Sequence, residues 1–417
     1  MRKLRVGVVG AGRGMSLAAG VGEATGMELV AFAEAQPAAR DQAAAALASR
    51  GLQVAAYEDY DQLLAHELDA VILANYFHQH APLAIKALQA GKHVMSETTA
   101  CFTLAEGVAL VEAVERSGRI YMLAENYPYM IFNQEMRRLF QAGRIGEFTY
   151  GEGEYLHPMD ANALNRISPG INHWRNWLPA TYYCTHSLAP IMYITGTWPV
   201  QVNALVIPRS DDDPVTARTA RRNDAASLIA LRMDNGAVTK LLQVGLRGEG
   251  IWVRIHGSRG QMENLRHGDR NLVRVRREQY HEEPSGPVEE VYLPQFPEHH
   301  ELAAATGHGG GDFFVSYHFA QAIHAGQQPF LDVYRAVAMS AVGIQAYRSA
   351  LADGNTMAVP DFRQAEVRRQ YAQDDWSPDP AQHRPGQPWP SIRGDLQPSA
   401  QGLEYARRIW REGGHEQ

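Results

Sequence analysis

The stretch Leu4-Arg5-Val6-Gly7-Val8-Val9-Gly10-Ala11-Gly12-Arg13-Gly14-Met15 decides the fold. An apolar, β-branched run stops at a glycine-rich turn, and a helical segment, read over residues 17–24, follows. A dinucleotide needs this order. The strand aims the turn, the glycines let backbone N–H groups approach a pyrophosphate, and the next helix points its positive end at it. A glycine triplet alone is weak evidence; its place between strand and helix makes it informative. Met15 stands at the third fingerprint position, with Gly14 one step early.

Outward from this turn, strand and helix alternate. Residues 27–33 form a second buried strand that ends on Glu34. A carboxylate there accepts hydrogen bonds from ribose hydroxyls and repels a 2′-phosphate, which favours NAD over NADP. An alanine-rich helix spans 38–50. A strand at 69–74 ends in Asn75-Tyr76-Phe77-His78-Gln79-His80, and a helix covers 82–90. A fourth strand leads into Glu97, a helix spans 104–117, and a strand at 120–124 runs into Glu125-Asn126-Tyr127. Such alternation implies right-handed βαβ units and a doubly wound parallel sheet. Its ligands gather at the carboxyl ends of the strands.

The pattern changes near Gly143-Arg144-Ile145-Gly146. Strands beyond it alternate polar and apolar residues, at 148–155, 200–207, 225–233, 237–244 and 251–256. Asp234-Asn235-Gly236 is a hairpin signal. These strands read as an open, mainly antiparallel sheet in a second α/β domain, one face of which needs a cover of helices or another subunit. Residues 211–214 and 281–288 read as exposed loops, and helices return at 313–325 and 333–351. The expected division is a dinucleotide-binding domain at 1–126, a substrate-binding and oligomerisation domain at 127–373, and a Pro-rich tail at 374–417 that lacks a core of its own.

Composition agrees with this reading. A chain of 417 residues with 45% hydrophobic content suffices for two domains. A formal net charge of −7 argues against a broad nucleic-acid-binding surface. Cys101 and Cys184, the only cysteines, cannot build a disulfide framework and point to a reducing compartment. No apolar segment precedes the first strand and no run of 18 apolar residues occurs, so a cytoplasmic protein without a membrane partner is expected.

The ordered pattern resembles the Gfo/Idh/MocA oxidoreductases, relatives of glucose–fructose oxidoreductase and inositol dehydrogenase. It is carried by the glycine turn, Glu34, His80, Gly91-Lys92-His93-Val94 running into Glu97, Arg144-Ile145-Gly146, and Ile255-His256-Gly257-Ser258-Arg259-Gly260. The resemblance covers residues 3–355. It implies a Rossmann domain, an open-sheet α/β domain, a nicotinamide cofactor, sugar-like substrates and homo-oligomers (dimers or tetramers) built on the sheet. Family dehydrogenases carry Glu-Lys-Pro where this chain has Glu97-Thr98-Thr99, and Thr98 cannot manage the proton of an alcohol as a Lys does. They also place an Asp four residues before a catalytic His; here Tyr182 precedes His186.

These departures resemble another branch of the family, the NAD-dependent glycosidases that include bacterial α-N-acetylgalactosaminidases. Gly153-Glu154-Tyr155-Leu156-His157 resembles the segment with that branch's proposed catalytic Tyr. Tyr183-Cys184-Thr185-His186 resembles its Tyr-Pro-Thr-His segment, and Gly307-His308-Gly309-Gly310-Gly311-Asp312-Phe313 its His-Gly-Gly-Met-Asp segment. Trp174-Arg175-Asn176 precedes the Tyr-x-x-His, as in that branch. Such enzymes keep NAD bound and oxidise a sugar at C3, which acidifies the C2 proton. The aglycone is eliminated, water adds, and the ketone is reduced again.

The resemblance places Gly10, Ala11, Gly12, Arg13, Gly14, Met15, Glu34, Asn75, His80, Glu97 and Asn126 at the NAD site. It gives the chemistry to Tyr155, His186 and His308, and the sugar to His157, Trp174, Arg175, Tyr183 and Asp312. Each has a plainer alternative: His186 and His80 as helix caps, Tyr155 and Tyr183 as packing, Asp312 as an N-cap. A Tyr of ordinary pKa, near 10, is a poor base at neutral pH, so positive charge has to lower that of Tyr155. His299, His300 and His308 fit no zinc spacing, and no metal is expected. Arg218, Arg221 and Arg222 read as a solvated face. Two other functions stand beside the glycosidase: a conventional NAD-dependent sugar or cyclitol dehydrogenase, and a silent NAD-binding sensor.

Overall fold

Six short runs of small and β-branched residues pair in parallel. They are β1 (Leu4–Val9), β2 (Met27–Ala33), β3 (Ala55–Tyr57), β4 (Ala70–Leu73), β5 (His93–Ser96) and β6 (Tyr121–Leu123), in the order β3-β2-β1-β4-β5-β6. The structure is a computed structural model that describes residues 2–248, 250–279 and 288–415. All four residues of β4 are fully buried, as befits a central strand covered on both faces. The winding reverses between β1 and β4, so the connections at their carboxyl ends part and leave a crevice.

The first helix is Arg13–Ala18 rather than 17–24, followed by a single turn at Glu23–Thr25. Gly14 lowers helix propensity, which hid the start. Its missing side chain is what lets the helix lie on β1, because a Cβ there would stand 2.6 Å from Val8 Cγ1.

The second sheet has nine strands: β7 (Phe148–Leu156), β8 (Pro199–Ile207), β9 (Ala226–Met233), β10 (Val238–Val244), β11 (Ile251–Gly257), β12 (Gly260–Asn264), β13 (Val273–Arg277), β14 (Glu289–Tyr292) and β15 (Met357–Ala358). Their order is β14-β13-β12-β11-β7-β10-β9-β8-β15. Pairing is antiparallel except between β7 and β10. The strands β12–β14 were not foreseen. They are joined by a ladder of charges, Arg254–Glu263–Arg274–Glu289, so their sequence carries little apolar alternation. The loop read at 281–288 lies, apart from Val288, outside the described residues.

Helices Thr185–Thr195 and Val333–Leu351 cover the inner face of this sheet. Gly153 permits the closest approach: a Cβ there would stand 2.3 Å from the Ser187 carbonyl oxygen. That contact brings His186, at the start of the first of these helices, beside Tyr155 on β7. The C-terminal residues 374–398 run over the surface, and a helix, Ala400–Glu412, then docks. Ala406 and Trp410 form a small core with Ala220, and Trp410 Nε1 donates to the Asn165 carbonyl at 3.0 Å. The Pro-rich composition upstream conceals this helix.

Candidate active site

The carboxyl ends of β1, β2, β4 and β5 open on a cleft of about 630 Å³. Gly10 has φ +92, and a Cβ there would stand 2.6 Å from the Ala74 carbonyl oxygen, so only glycine fits. Gly12 has nothing within 4 Å of where its Cβ would be, which leaves bare backbone facing the cleft. Glu34 closes the far end: Oε2 accepts from the Ala11 N–H and Oε1 from the Gln36 N–H, both at 2.9 Å. A bare turn with a carboxylate at the end of the next strand fits the pyrophosphate and ribose of a dinucleotide.

Gly10, Gly12, Arg13, Glu34, Asn75, His80 and Glu97 line this cleft. Ala11 and Met15 do not; they border a separate groove of about 730 Å³ behind the turn, with Leu29 and Ala43. The helix begins at Arg13, and residues two apart on a helix lie about 200° apart, so Met15 faces away. Gly14 is packed under Val8. His80 is buried, with Nδ1 2.9 Å from the Thr99 carbonyl and Nε2 3.2 Å from the Asn75 carbonyl. Burial pushes its pKa down, and it ties together the loops after β4 and β5.

Arg13 reaches out of the turn. Its Nε donates to Glu97 at 2.6 Å, and its two terminal nitrogens grip Asp312 at 2.7 and 2.8 Å. Asp312 also accepts from Asn126 Nδ2 at 2.8 Å and from His308 Nδ1 at 3.0 Å. Burial alone would raise this carboxyl; hydrogen bonds from Arg13 and His308 outweigh it and hold the group well below the usual carboxylate range. Four protein donors saturate Asp312, which corrects its expected place on the sugar. It joins the glycine turn to helix Gly311–Ala325. Asn126 is likewise spent on Asp312 rather than turned to the cleft.

His186 lies in a cage of aromatic rings. Tyr127 stacks on it at 4.6 Å, Tyr155 meets it edge-on at 4.5 Å, and Tyr183 at 5.1 Å. Behind it stands Glu125, fully buried just past β6, whose oxygens lie 2.8 and 2.9 Å from His186 Nδ1. A carboxylate only accepts, so Nδ1 carries the proton and Nε2 is left without a protein partner among the described residues. One turn before His186 stands Tyr182, so the acid that partners His186 comes instead from the end of the parallel sheet. Sequence reading missed Glu125 as a site residue, although it stands at a parallel strand's carboxyl end.

Tyr155, His157, Trp174, Arg175 and Tyr183 line a second cavity, of about 250 Å³, together with Arg221. Trp174, Arg175 and Tyr183 also wall the dinucleotide cleft, so the two spaces meet there. Their rings form a stack, Phe77 on Trp174 at 5.1 Å and Trp174 nearly parallel to Tyr183 at 6.2 Å. His308, partly exposed, has its ring centre 6.5 Å from that of Tyr127.

Residues 4–125 match the oxidoreductase family model with an NAD-binding Rossmann fold, Gfo/Idh/MocA, and residues 247–369 match the C-terminal domain of glycosyl hydrolase 109. The chain carries a Gfo/Idh/MocA NAD-binding oxidoreductase domain and a glycosyl hydrolase 109 C-terminal domain. It is similar to a glycosyl hydrolase family 109 protein of Stenotrophomonas maltophilia strain K279a, 25% identical over 407 residues that cover 87% of this chain and 89% of the relative. A glycosyl hydrolase family 109 protein of Saccharopolyspora erythraea is 25% identical over 413 residues, 91% of this chain and 87% of the relative. Among solved structures, levoglucosan dehydrogenase in complex with NADH and L-sorbose shares the fold, with a TM-score of 0.72 at 19% identity over 87% of this chain and all of the other.

Electrostatics redistribute the roles in this oxidoreductase. Burial, then Tyr183, Tyr127 and Glu125, push the Tyr155 phenol far above its ordinary value, with only Arg175 opposing them. The lowering that a tyrosine base requires is not supplied by the protein. Burial lowers His157, and His186, His308 and Arg175 lower it further, so it is neutral at pH 7. The arginines read as a solvated face are not one: Arg222 is buried, and Arg221 lines the second cavity. Nothing in a run of arginines marks which of them turns inward.

Proposed function

We propose that the protein cleaves a glycoside through transient oxidation of the sugar at C3, elimination of the aglycone and addition of water, with NAD kept bound and no net redox change. The supporting observation is the Glu125–His186 pair, caged by tyrosines of which Tyr155 and Tyr183 line the second cavity; the glycosyl hydrolase 109 match agrees with it. Bound NAD supplies a reversible hydride acceptor. Gly10, Gly12 and Glu34 hold it. His186, oriented by Glu125, takes the proton of the oxidised hydroxyl through Nε2 and later returns it. Tyr155 remains a phenol and serves as donor rather than base, so in the elimination the C2 proton passes to solvent water and the departing aglycone oxygen takes up a proton in its place. Trp174 and Tyr183 offer aromatic faces to the sugar, and His308, held by Asp312, presents its ring on the Tyr127 side of the cage.

The test is p-nitrophenyl glycosides given to the purified protein without added NAD, and free sugars with excess NAD. Aglycone release without NADH, together with exchange of the C2 hydrogen for solvent deuterium, is the expected result. Steady NADH production from a free sugar would replace this reading with that of a sugar dehydrogenase. Silence in both assays, with NAD still bound, would favour the sensor.

We also infer a homo-oligomer joined through the outer face of the nine-stranded sheet, in a cytoplasmic setting. Leu205, Leu228 and Leu242 stand opposite one another on β8, β9 and β10, and Leu205 is 58% exposed. Such an apolar stripe is a liability unless covered. Leu228→Glu should lower the mass seen in sedimentation; an unchanged mass would put the contact elsewhere. Both cysteines are buried and free, and among the described residues no helix is long and apolar enough to cross a membrane.

A further inference from the structure

Arg221 is placed where a guanidinium is costly. It lines the cavity behind Trp174, Arg175 and Tyr183, and its Nε is buried without a hydrogen-bond partner. Among the described residues no acid pairs with it. The acid on the same wall, Asp224, is turned away: its oxygens accept from Ser391 Oγ at 2.7 Å and from the Ile392 N–H at 3.0 Å. A second unpaired cation stands beside it. Arg175 lies over the Trp174 ring at 4.1 Å, hydrogen-bonds Tyr183 and makes a long contact, 3.5 Å, to the Ile167 carbonyl, and among the described residues no acid pairs with it.

The surplus of positive charge is felt by its neighbours. Burial, then Arg175 and Arg221, push His173 down to about 3. Burial and Arg175 bring Arg221 itself down to about 10. Buried charges in proteins are paired or hydrogen-bonded, because desolvation is otherwise uncompensated. Two arginines facing one cavity with no protein anion leave the compensation to a ligand, and guanidinium forks match planar oxyanions.

We propose that Arg221 and Arg175 form a subsite for an oxyanion carried by the substrate, so that the glycosides processed are acidic ones, bearing a carboxylate or a sulfate ester. This rests on the glycoside reading above and adds the substrate class. Asn223, which also lines the cavity, is spent on the Leu178 carbonyl, so discrimination falls to the two cations.

The test uses the protein as purified, with matched p-nitrophenyl hexosides, hexuronides and hexoside 6-sulfates in both anomers and in gluco and galacto configurations. The acidic member of a pair should exceed the neutral one in kcat/KM by about tenfold or more. In Arg221→Met that ratio should fall by about tenfold, chiefly through KM, and Arg221→Lys should restore part of it. Preference for uronides or for sulfates identifies which oxyanion is read. A neutral preference, or a ratio unchanged in Arg221→Met, overturns the subsite. If no glycoside releases its aglycone, the glycoside reading fails, and calorimetry with free hexuronate and hexose decides the subsite alone. Uronate binding that is lost in Arg221→Met upholds it; equal binding of both sugars overturns it. Stability gives an independent readout. Removing an unpaired, partly buried charge should hold or raise the melting temperature, and a marked fall would reveal a structural partner and overturn the proposal.

Discussion

At Tyr155 the surroundings decide what a residue type can do. Two tyrosines and a carboxylate in a buried pocket all favour the phenol, so its proton is kept at every pH below about 10, the ordinary tyrosine value. Tyr155→Phe should lower kcat by about a hundredfold while leaving the shape of the pH profile below pH 10 unchanged. An alkaline limb present in the wild type and absent from the variant would show that Tyr155 titrates in that range after all. The sequence made Tyr155 and His186 visible because the residues around them form recognisable segments. It did not reveal what surrounds them. Glu125 reaches His186 from another strand of another domain, and Arg221 differs from Arg218 only in the direction its backbone gives it. Pairings of that kind are set by tertiary packing, which spacing along the chain does not encode.

The glycine turn is legible for the opposite reason: strand, turn and helix are contiguous, and each glycine has a local cause. Gly10→Ala would drive a methyl against the Ala74 carbonyl and impose a left-handed φ on alanine. It should destabilise the protein by more than about 1 kcal/mol and reduce the NAD retained on purification, read from the 260/280 nm absorbance ratio. Retention and melting temperature equal to the wild type would mean the turn relaxes. Beyond the turn, five of the six parallel strands could be placed from apolar runs; β3, three residues long, gave too little signal. The strands β12–β14 escaped because arginines and glutamates, rather than apolar side chains, face one another across them. The helix Ala400–Glu412 escaped because a Pro-rich approach hides an amphipathic segment that anchors through Trp410.

For the whole molecule, Arg13–Asp312 is one of the links, beside Glu125–His186, that tie the glycine turn's half of the chain to the rest. The folded Asp312 carboxyl lies below its unfolded value of about 3.9. Its contribution is therefore fully present above that value and is lost as pH falls below it towards the folded pKa. Asp312→Asn should cost about 3 kcal/mol near neutral pH, since it removes the anion gripped by both terminal nitrogens of a partly buried Arg13 and leaves that cation Glu97 alone. The gap in melting temperature between wild type and variant should narrow as pH falls below about 4; a constant gap there would remove Asp312 from the link. Another feature reaches further. Trp174, Arg175 and Tyr183 are a party wall, one side on the cleft at the glycine turn and the other on the second cavity. Whatever ordering one ligand imposes on that wall is already done when the second arrives. Thermodynamic reciprocity then requires that a substrate tightened by the coenzyme tighten the coenzyme by the same factor. The residence time of NAD would be longest with a sugar in place, which is when its loss would strand a half-oxidised product.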